Sequence, residues 1–356
     1  MDSNDSLSNN SDYSNLYPNY QSSNTSYLTP FENLMYALKP KDAKRQYPSL
    51  LNRFLNFLNL EGSMEQKCTQ LLKLAKNDPN LLQSHPMRYC SDQKRRIEIG
   101  EISEETMRNY IKAVKLFCEM NEISIFWKKI TKGLPTATQA SDDRPPTIDE
   151  ISKLIKYYSN RRLKVIVLVM ISSGIRIGAW NSLKWKHVEP VYEQDIDKNK
   201  AIAVKLTIYS GTPEKYYSFI TAESCGALKD WMDYREIHGE KITSESWLIR
   251  DTLQKIDRKH EHRIGLAKFP KRFDSEGIRT LVDKAWKRQG IRQKLSDSLK
   301  HHNFKSSHGF RKFFQTTCEQ VMISANVERL MGHSNGLKDS YYKPTEKEVL
   351  EDYKKV

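Results

Sequence analysis

A stretch of fewer than forty residues carries most of the side chains in this sequence that could do chemistry together. They are His308, Arg311, His333 and the adjacent pair Tyr341 and Tyr342. His308 and Arg311 are three residues apart in a segment of helical spacing, so they share one helix face. Fixed cationic donors stabilise the extra negative charge of a pentavalent phosphate transition state, and a phenol can supply the nucleophile. These residue types predict phosphate chemistry with a tyrosine nucleophile and no metal.

The elements around these residues follow from their neighbours. Phe310, Phe313 and Phe314 give the His308 helix an apolar face to bury. A second helix is predicted over Ser324 to Met331, with Ser324 as its N-cap and Gly332 as the residue at which it stops. His333 is then the first side chain after that stop. Tyr342 follows nine residues later, shortly before Pro344, which ends the local helix.

A second cation emerges from a turn earlier in the chain. The run Lys164 to Ser173 is typical of a buried helix, and Gly174 can end it. Arg176 follows at once. An arginine beside such an apolar run needs an anionic partner, which is either a carboxylate in a buried ion pair or a bound phosphate.

Two strands are predicted after this turn. Residues Ala201 to Tyr209 alternate between apolar and polar side chains, and Tyr216 to Thr221 forms the returning strand. Lys215 is the lysine of the intervening turn, and Lys205 lies on the polar face of the first strand.

From Gly174 to Lys343 the sequence resembles the tyrosine recombinases, the phage-integrase and Xer-type family, whose core pattern is Arg, Lys, His-x-x-Arg, Gly-His and Tyr. The resemblance implies a set of catalytic residues: Arg176, Lys215, His308, Arg311, His333 and Tyr342. The usual Gly-Lys-Gly spacing around the lysine is missing, so Lys205 and an ordinary exposed role for Lys215 stay open. The family often has a glutamate three residues after the first arginine, where this chain has Ala179. Tyr341 is the alternative nucleophile.

The function implied by the resemblance is site-specific DNA recombination through a 3′-phosphotyrosyl intermediate, without a cofactor or a small-molecule substrate. The turn GIRIGAW and the ending Tyr-Tyr-Lys-Pro look like the archaeal branch, which implies an integrase of a virus or other mobile element. The implied partners are double-stranded DNA attachment sites and three further copies of the chain in a homotetramer on DNA. A tyrosine-type topoisomerase and a non-catalytic DNA-binding regulator on the same fold are the alternatives.

Composition is consistent with a DNA-binding protein that works inside a cell. The formal net charge of +14 favours polyanionic partners, although a generically basic protein would look the same. Five scattered cysteines without a C-x-x-C pair favour a reducing compartment. The longest apolar run, Val165 to Ile171, is far shorter than the roughly 20 residues that span a membrane. We expect a cytoplasmic, nucleoid-associated protein.

The predicted fold is mainly α with a small β-sheet, in two domains. Residues 1–30 form a disordered tail of Ser, Asn and Tyr, residues 31–134 a helical domain, residues 135–146 a proline-containing linker, and residues 147–356 a mixed α+β catalytic domain. Thr147 and Glu150 form a capping box that opens the second domain. In the resembling family the N-terminal helical domain binds the core site and clamps the DNA.

One helix of the first domain carries candidate DNA contacts. It begins after Ser103, a good N-cap, and its cations Arg108, Lys112 and Lys115 share a face. A solvated surface helix could have the same pattern.

The remaining expectations concern the end of the chain and metal binding. A helix is predicted near Glu276 to Arg288. A last helix, Glu346 to Lys355, follows a capping box of Thr345 and Glu348, and the resemblance favours a neighbouring subunit as its docking partner. The histidine pairs 260/262 and 301/302 have no carboxylate or cysteine at ligand spacing, so no metal site is predicted.

Overall fold

The structure is a computed structural model, and it describes residues 28–135, 144–157, 160–192, 201–251, 270–293, 302–334 and 338–356. Internal contacts divide the chain into two units, Met1–Thr138 and Gln139–Val356. The predicted tail lies outside the described residues except at 28–30. There Thr29 and Glu32 form a capping box, and helix α1 begins at Pro30.

The first unit is helical throughout its described residues. Its helices are α1 (Pro30–Ala37), α2 (Lys41–Phe57), α3 (Met64–Asn77), α4 (Pro79–Glu98), α5 (Glu104–Met120) and α6 (Trp127–Lys132). Helix α5 packs against α1, α2 and α4, with Met107, Val114 and Phe117 fully buried. Ser103 caps α5 through the Thr106 main-chain N–H, which confirms the predicted start of this helix.

The second unit begins at the predicted capping box, in which the Thr147 hydroxyl accepts from the Glu150 N–H at 3.2 Å. Helix α7 (Ile148–Tyr157) follows, and then the buried helix α8 (Arg161–Ser173). Gly174 ends α8 in the left-handed conformation, with a φ of +60°. Two short 3₁₀ helices, Ile177–Asn181 and Trp185–His187, lead into the sheet.

The sheet has three antiparallel strands in chain order: β1 (Val188–Tyr192), β2 (Ala201–Ile208) and β3 (Tyr216–Thr221). The two predicted strands are confirmed as β2 and β3, whose register pairs Lys205 with Phe219. The sequence analysis missed β1, which contains Pro190 and places Glu189 beside Lys205.

Six further helices complete the described part of the second unit. They are α9 (Ala222–Ile237), α10 (Ser275–Arg288), α11 (Ser306–Cys318), α12 (Ser324–Leu330), α13 (Lys338–Tyr341) and α14 (Glu346–Tyr353). Helix α8 lies at the centre of the main core and packs against α9, α11 and β3. The His-x-x-Arg helix, α11, therefore rests on the buried helix that precedes Arg176.

Helix α14 packs against its own unit in the single chain, whereas the resemblance favoured a neighbouring subunit. Val349, Leu350 and Tyr353 are buried in a core shared with α11 and α12. The Tyr353 hydroxyl also donates to the Ser172 carbonyl oxygen at 2.7 Å. This short helix thus fixes the chain just after Tyr342.

The predicted N-cap of α12 is wrong. Ile323 occupies the cap position, and the Ser324 hydroxyl donates to Glu319 instead. The Ile323 main-chain N–H donates to the Asp352 carboxylate of α14 at 2.9 Å. A carboxylate distant in sequence therefore caps this helix in place of a local hydroxyl.

No helix of the described residues is long and apolar enough to cross a membrane.

Candidate active site

Arg176 leaves the turn that follows α8 and points to the turn after α12. Its guanidinium Nη1 donates to the Gly332 carbonyl oxygen at 3.0 Å. Among the described residues no carboxylate forms an ion pair with Arg176. The buried ion pair considered from the sequence is therefore not what holds this arginine. The guanidinium is held instead by a neutral main-chain carbonyl.

Arg311 lies one helical turn into α11 and is 4% exposed. Its guanidinium donates to the carbonyl oxygen of Gly174 and, at 3.2 Å, to that of Met331. Burial and the neighbouring charge of Arg176 both lower the pKa of Arg311. Two cations held together in a partly buried site favour an anion between them, because an anion relieves their repulsion and replaces lost hydration.

His333 joins this cluster through both ring nitrogens. Arg311 Nη2 lies 2.7 Å from His333 Nε2, and His333 Nδ1 is bonded to the Glu328 carboxylate. A guanidinium nitrogen can only donate, so Nε2 is the acceptor and Nδ1 carries the proton toward Glu328. Gln315 donates to the other Glu328 oxygen at 3.0 Å.

Glu328 is the functional candidate that the sequence analysis missed. It lies on α12, five residues before His333, and the only local signal was a carboxylate one helical turn before the Gly-His pair. A carboxylate on one imidazole nitrogen fixes the tautomer and orientation that the other nitrogen presents. Glu328 thus gives His333 a carboxylate partner.

His308 is exposed on the first turn of α11, on the face that it shares with Arg311. Of the predicted catalytic residues, Arg311 and His333 are in direct contact, and Arg176 reaches the same turn through the Gly332 carbonyl oxygen.

The two candidate lysines have different surroundings. Lys205 bonds Glu346 at 3.1 Å and Glu189 at 3.2 Å. Burial would lower the pKa of Lys205, but these hydrogen bonds outweigh burial and raise it. Lys215 is exposed in the hairpin turn, and no ion pair holds its ammonium among the described residues.

Tyr342 does not lie with the arginine cluster in this structure. Its hydroxyl donates to Asn326 Oδ1 at 3.1 Å, and its carbonyl oxygen accepts from Arg329 at 2.9 Å. The Asn326 amide donates in turn to Asp352 at 2.8 Å. The phenol therefore rests in a cleft beside α14. Tyr341 is 88% exposed.

The cations predicted to contact DNA in the first unit each have an intramolecular partner. Lys112 lies 3.4 Å from Glu105, and Lys115 lies 3.6 Å from Glu119. Arg108 is half-buried and donates to the Pro135 carbonyl oxygen at 2.7 Å. Exposed ion pairs are weak, so phosphates could displace the two glutamates. Arg108 instead holds the end of the unit in place.

Metal ligands do not cluster in the part of the chain that the structure describes: no group of three His, Cys, Asp or Glu side chains could hold an ion there. His260, His262 and His301 lie outside the described residues.

Several solved structures are similar to this one. The structure is similar to the Tn1549 transposon integrase in complex with a circular intermediate DNA, at 12% identity over 87% of this chain and 99% of that chain, with a TM-score of 0.50. The XerH site-specific recombinase bound to its difH substrate gives 17% identity over 91% and 93% of the two chains, with a TM-score of 0.48. A lambda integrase dimer bound to a core site gives 16% identity, 84% and 98% coverage, and a TM-score of 0.46. No curated protein matches the chain in sequence.

Residues 147–348 match the phage integrase family, and they make up more than half of the chain. This span contains every residue of the arginine, histidine and tyrosine set described above. The chain belongs to the phage integrase family of tyrosine recombinases.

Proposed function

We propose that this protein is a site-specific DNA recombinase in which Arg176 and Arg311 bind the scissile phosphate. The observation that supports this most is the convergence of two guanidiniums on one turn. Both reach main-chain carbonyls of residues 331 and 332, and neither forms a carboxylate ion pair among the described residues. Planar guanidiniums match pairs of phosphate oxygens, so two guanidiniums at one turn suit a phosphodiester.

The reaction is a transesterification. The Tyr342 phenolic oxygen attacks the phosphorus, a 3′-phosphotyrosyl bond forms, and the bond to the 5′ oxygen breaks. His308 accepts the phenolic proton, and Lys215 protonates the departing 5′ oxygen. Return attack by the 5′ hydroxyl of another strand reverses the step without an added energy source. His333 donates to the phosphate from Nε2, which must gain a proton when the Arg311 fork leaves it, and Glu328 holds the opposite ring nitrogen.

Two rearrangements accompany catalysis in this proposal. Tyr342 leaves Asn326 and approaches the phosphate, and the Arg311 fork turns from His333 Nε2 to the phosphate oxygens. The first is supported by the resting place of the phenol beside α14. The second is supported by the contact between Arg311 Nη2 and His333 Nε2, because this contact occupies the ring nitrogen that His333 would offer to the phosphate.

The proposed partner is duplex DNA carrying attachment sites, with four copies of the chain on two duplexes. The similar Tn1549 transposon integrase is in complex with DNA in its solved structure, which supports this class of partner. The helical first unit would also contact the duplex, with Lys112 and Lys115 on phosphates. The proposed source is a virus or mobile element of the archaeal branch, and the site of action is intracellular DNA.

The test is covalent capture. The protein is incubated with a pool of random-sequence duplexes nicked so that cleavage releases a short fragment, and covalent adducts are separated on a denaturing gel and sequenced. We expect adducts enriched in one sequence with wild type and none with Tyr342→Phe. Binding of an enriched sequence without any adduct would favour a regulator. Relaxation of supercoiled DNA without joining of two such sites would favour a topoisomerase.

A further inference from the structure

Tyr216 lies against the arginine cluster, although the family pattern gives it no role. It is the first residue of β3 and directly follows Lys215. Its ring covers the Gly332 backbone so closely that a Cβ at residue 332 would be 2.6 Å from Cε1 of the ring. Tyr209 packs on the ring edge-on, with 6.0 Å between the centroids. The ring therefore has little freedom to move.

The hydroxyl of this fixed ring is buried and has no hydrogen-bond partner among the described residues. The main-chain N–H of Arg176 approaches the phenolic oxygen without hydrogen-bond geometry. Burial raises the pKa of Tyr216 despite the opposing charges of Arg311 and Arg176, so the phenol keeps its proton at neutral pH. A buried hydroxyl without an acceptor is destabilising.

The surroundings indicate what would accept this proton. Arg176 donates to the carbonyl oxygen of the same Gly332 that the Tyr216 ring covers, and Arg311 donates to the preceding carbonyl. An anion between the two guanidiniums would bring an oxygen acceptor next to the hydroxyl. One bound anion would then accept a hydrogen bond from the Tyr216 hydroxyl and neutralise charge on both guanidiniums.

We propose that Tyr216 is a further phosphate ligand, whose hydroxyl donates a hydrogen bond to one non-bridging oxygen of the phosphate held by Arg176 and Arg311. This inference rests on the proposed function. A preorganised donor of this kind stabilises charge that grows in the transition state. No bond is made or broken at Tyr216, and no proton leaves it.

The substitution Tyr216→Phe removes the hydroxyl and keeps the ring on Gly332. The matched control is Tyr217→Phe, which makes the same change on the next residue of β3, whose side chain lies on the opposite face of the sheet. We expect Tyr216→Phe to melt no lower than wild type, because it deletes an unsatisfied polar group.

The first measurement is the single-turnover cleavage rate on a duplex selected by covalent capture. We expect Tyr216→Phe to cleave about ten- to a hundredfold more slowly than wild type, with little change in DNA affinity, and Tyr217→Phe to cleave normally. The substrate can also carry a phosphorothioate of either configuration at the scissile position. Sulfur is a poor acceptor, so the difference in cleavage rate between wild type and Tyr216→Phe should be smaller when sulfur replaces the oxygen that Tyr216 contacts. Normal cleavage by Tyr216→Phe, or an equal defect with both phosphorothioates, would overturn the assignment.

The second measurement does not depend on cleavage. Inorganic phosphate is added at constant ionic strength, and the rise in melting temperature is compared among the three proteins. Suppose that wild type forms no adduct. A smaller rise in melting temperature for Tyr216→Phe than for Tyr217→Phe would then support the phosphate contact, and only the proposed recombinase activity would be rejected. Without an adduct, equal rises overturn the contact as well.

Discussion

The Tyr342 hydroxyl donates a 3.1 Å hydrogen bond to Asn326, whose amide donates at 2.8 Å to Asp352 on the terminal helix. The proposed nucleophile is thus tied to α14 instead of the arginines. Asn326 is 1% exposed, so this contact is shielded from water. In the proposed reaction the Tyr342 hydroxyl must therefore leave Asn326 before it can attack the phosphate.

Replacing Asn326 with Ala should release the phenol. We expect faster adduct formation, by a few fold, if release limits the rate, together with a loss of about 1–3 kcal/mol of stability because Asp352 loses a buried donor. Single-turnover cleavage and chemical denaturation measure the two effects. Slower cleavage at unchanged DNA affinity would mean that Asn326 helps the nucleophile instead of restraining it.

Separate phenylalanine substitutions decide between the adjacent tyrosines. Tyr342→Phe should abolish the covalent adduct while DNA binding persists, and Tyr341→Phe should retain both. Since Tyr341 is 88% exposed, its substitution should not alter the melting temperature. An adduct that survives Tyr342→Phe and disappears with Tyr341→Phe would reverse the assignment.

The lysines differ in what their loss should change. Lys215→Ala should slow cleavage by about 10²–10⁴, the usual contribution of a general acid. A substrate with sulfur in place of the departing 5′ oxygen should restore the rate, because a thiolate leaves without a proton. Lys205→Ala should instead weaken the docking of α14 through Glu346, with a small effect on cleavage. If the sulfur substrate restored the rate of Lys205→Ala and not that of Lys215→Ala, Lys205 would be the general acid instead of Lys215.

Glu328 should act through His333. Glu328→Ala should reduce cleavage by about 10- to 100-fold, as loss of a partner that orients an imidazole does in metal sites, and Glu328→Gln should recover part of the rate by keeping an acceptor for Nδ1–H. Nitrogen chemical shifts of the His333 ring would show the Nδ1–H tautomer in wild type and a mixture in Glu328→Ala. An unchanged tautomer in Glu328→Ala would remove Glu328 from this role.

A buried triad in the catalytic unit allows a stability prediction that is independent of the active site. Arg235 and Arg250, both 0% exposed, flank Glu240 at 2.6 Å and 2.9 Å. Glu240→Ala should cost about 3–5 kcal/mol, because two buried guanidiniums lose their counter-charge. Exposed Glu245, which pairs with Lys184 and Lys186, is the control, and its substitution should have little effect.

The same triad fixes a direction for pH dependence. Burial would raise the pKa of Glu240, but hydrogen bonds from Arg235 and Arg250 lower it overall. A carboxyl with a lowered folded-state pKa stabilises the fold above its ordinary pKa, and this stabilisation is lost as the pH falls through the lowered value. Denaturation of wild type and Glu240→Ala should therefore differ less at acidic pH than at pH 7.

Local chemistry made much of the fold predictable from sequence. The Ser103 and Thr147 caps and the Gly174 turn depend on residues within a few positions, and the structure confirms all three. Helix α10 and the two strands of the hairpin follow from periodicity in the same way. Strand β1 was missed because it has only five residues and Pro190 stands at its centre.

The features that sequence could not predict depend on contacts between distant segments. Asp352 caps α12 from the terminal helix, and a sequence pattern that considers only nearby residues predicts Ser324 instead. The resting place of Tyr342 depends on the same helix. The pairing of Glu328 with His333 depends on the turn that ends α12 and brings the two side chains together.

Gly174 has a consequence for both arginines. A Cβ there would come within 2.9 Å of Phe314 Cε1, on the helix that carries Arg311. The Phe314 ring thus sets the distance between the turn that precedes Arg176 and the helix that carries Arg311. A smaller residue at 314 could not rescue a larger one at 174, because the backbone at 174 has a φ of +60°. Substitution at this contact is therefore tolerated only at residue 314. A shift of the two segments at this contact would displace Arg176 and Arg311 together.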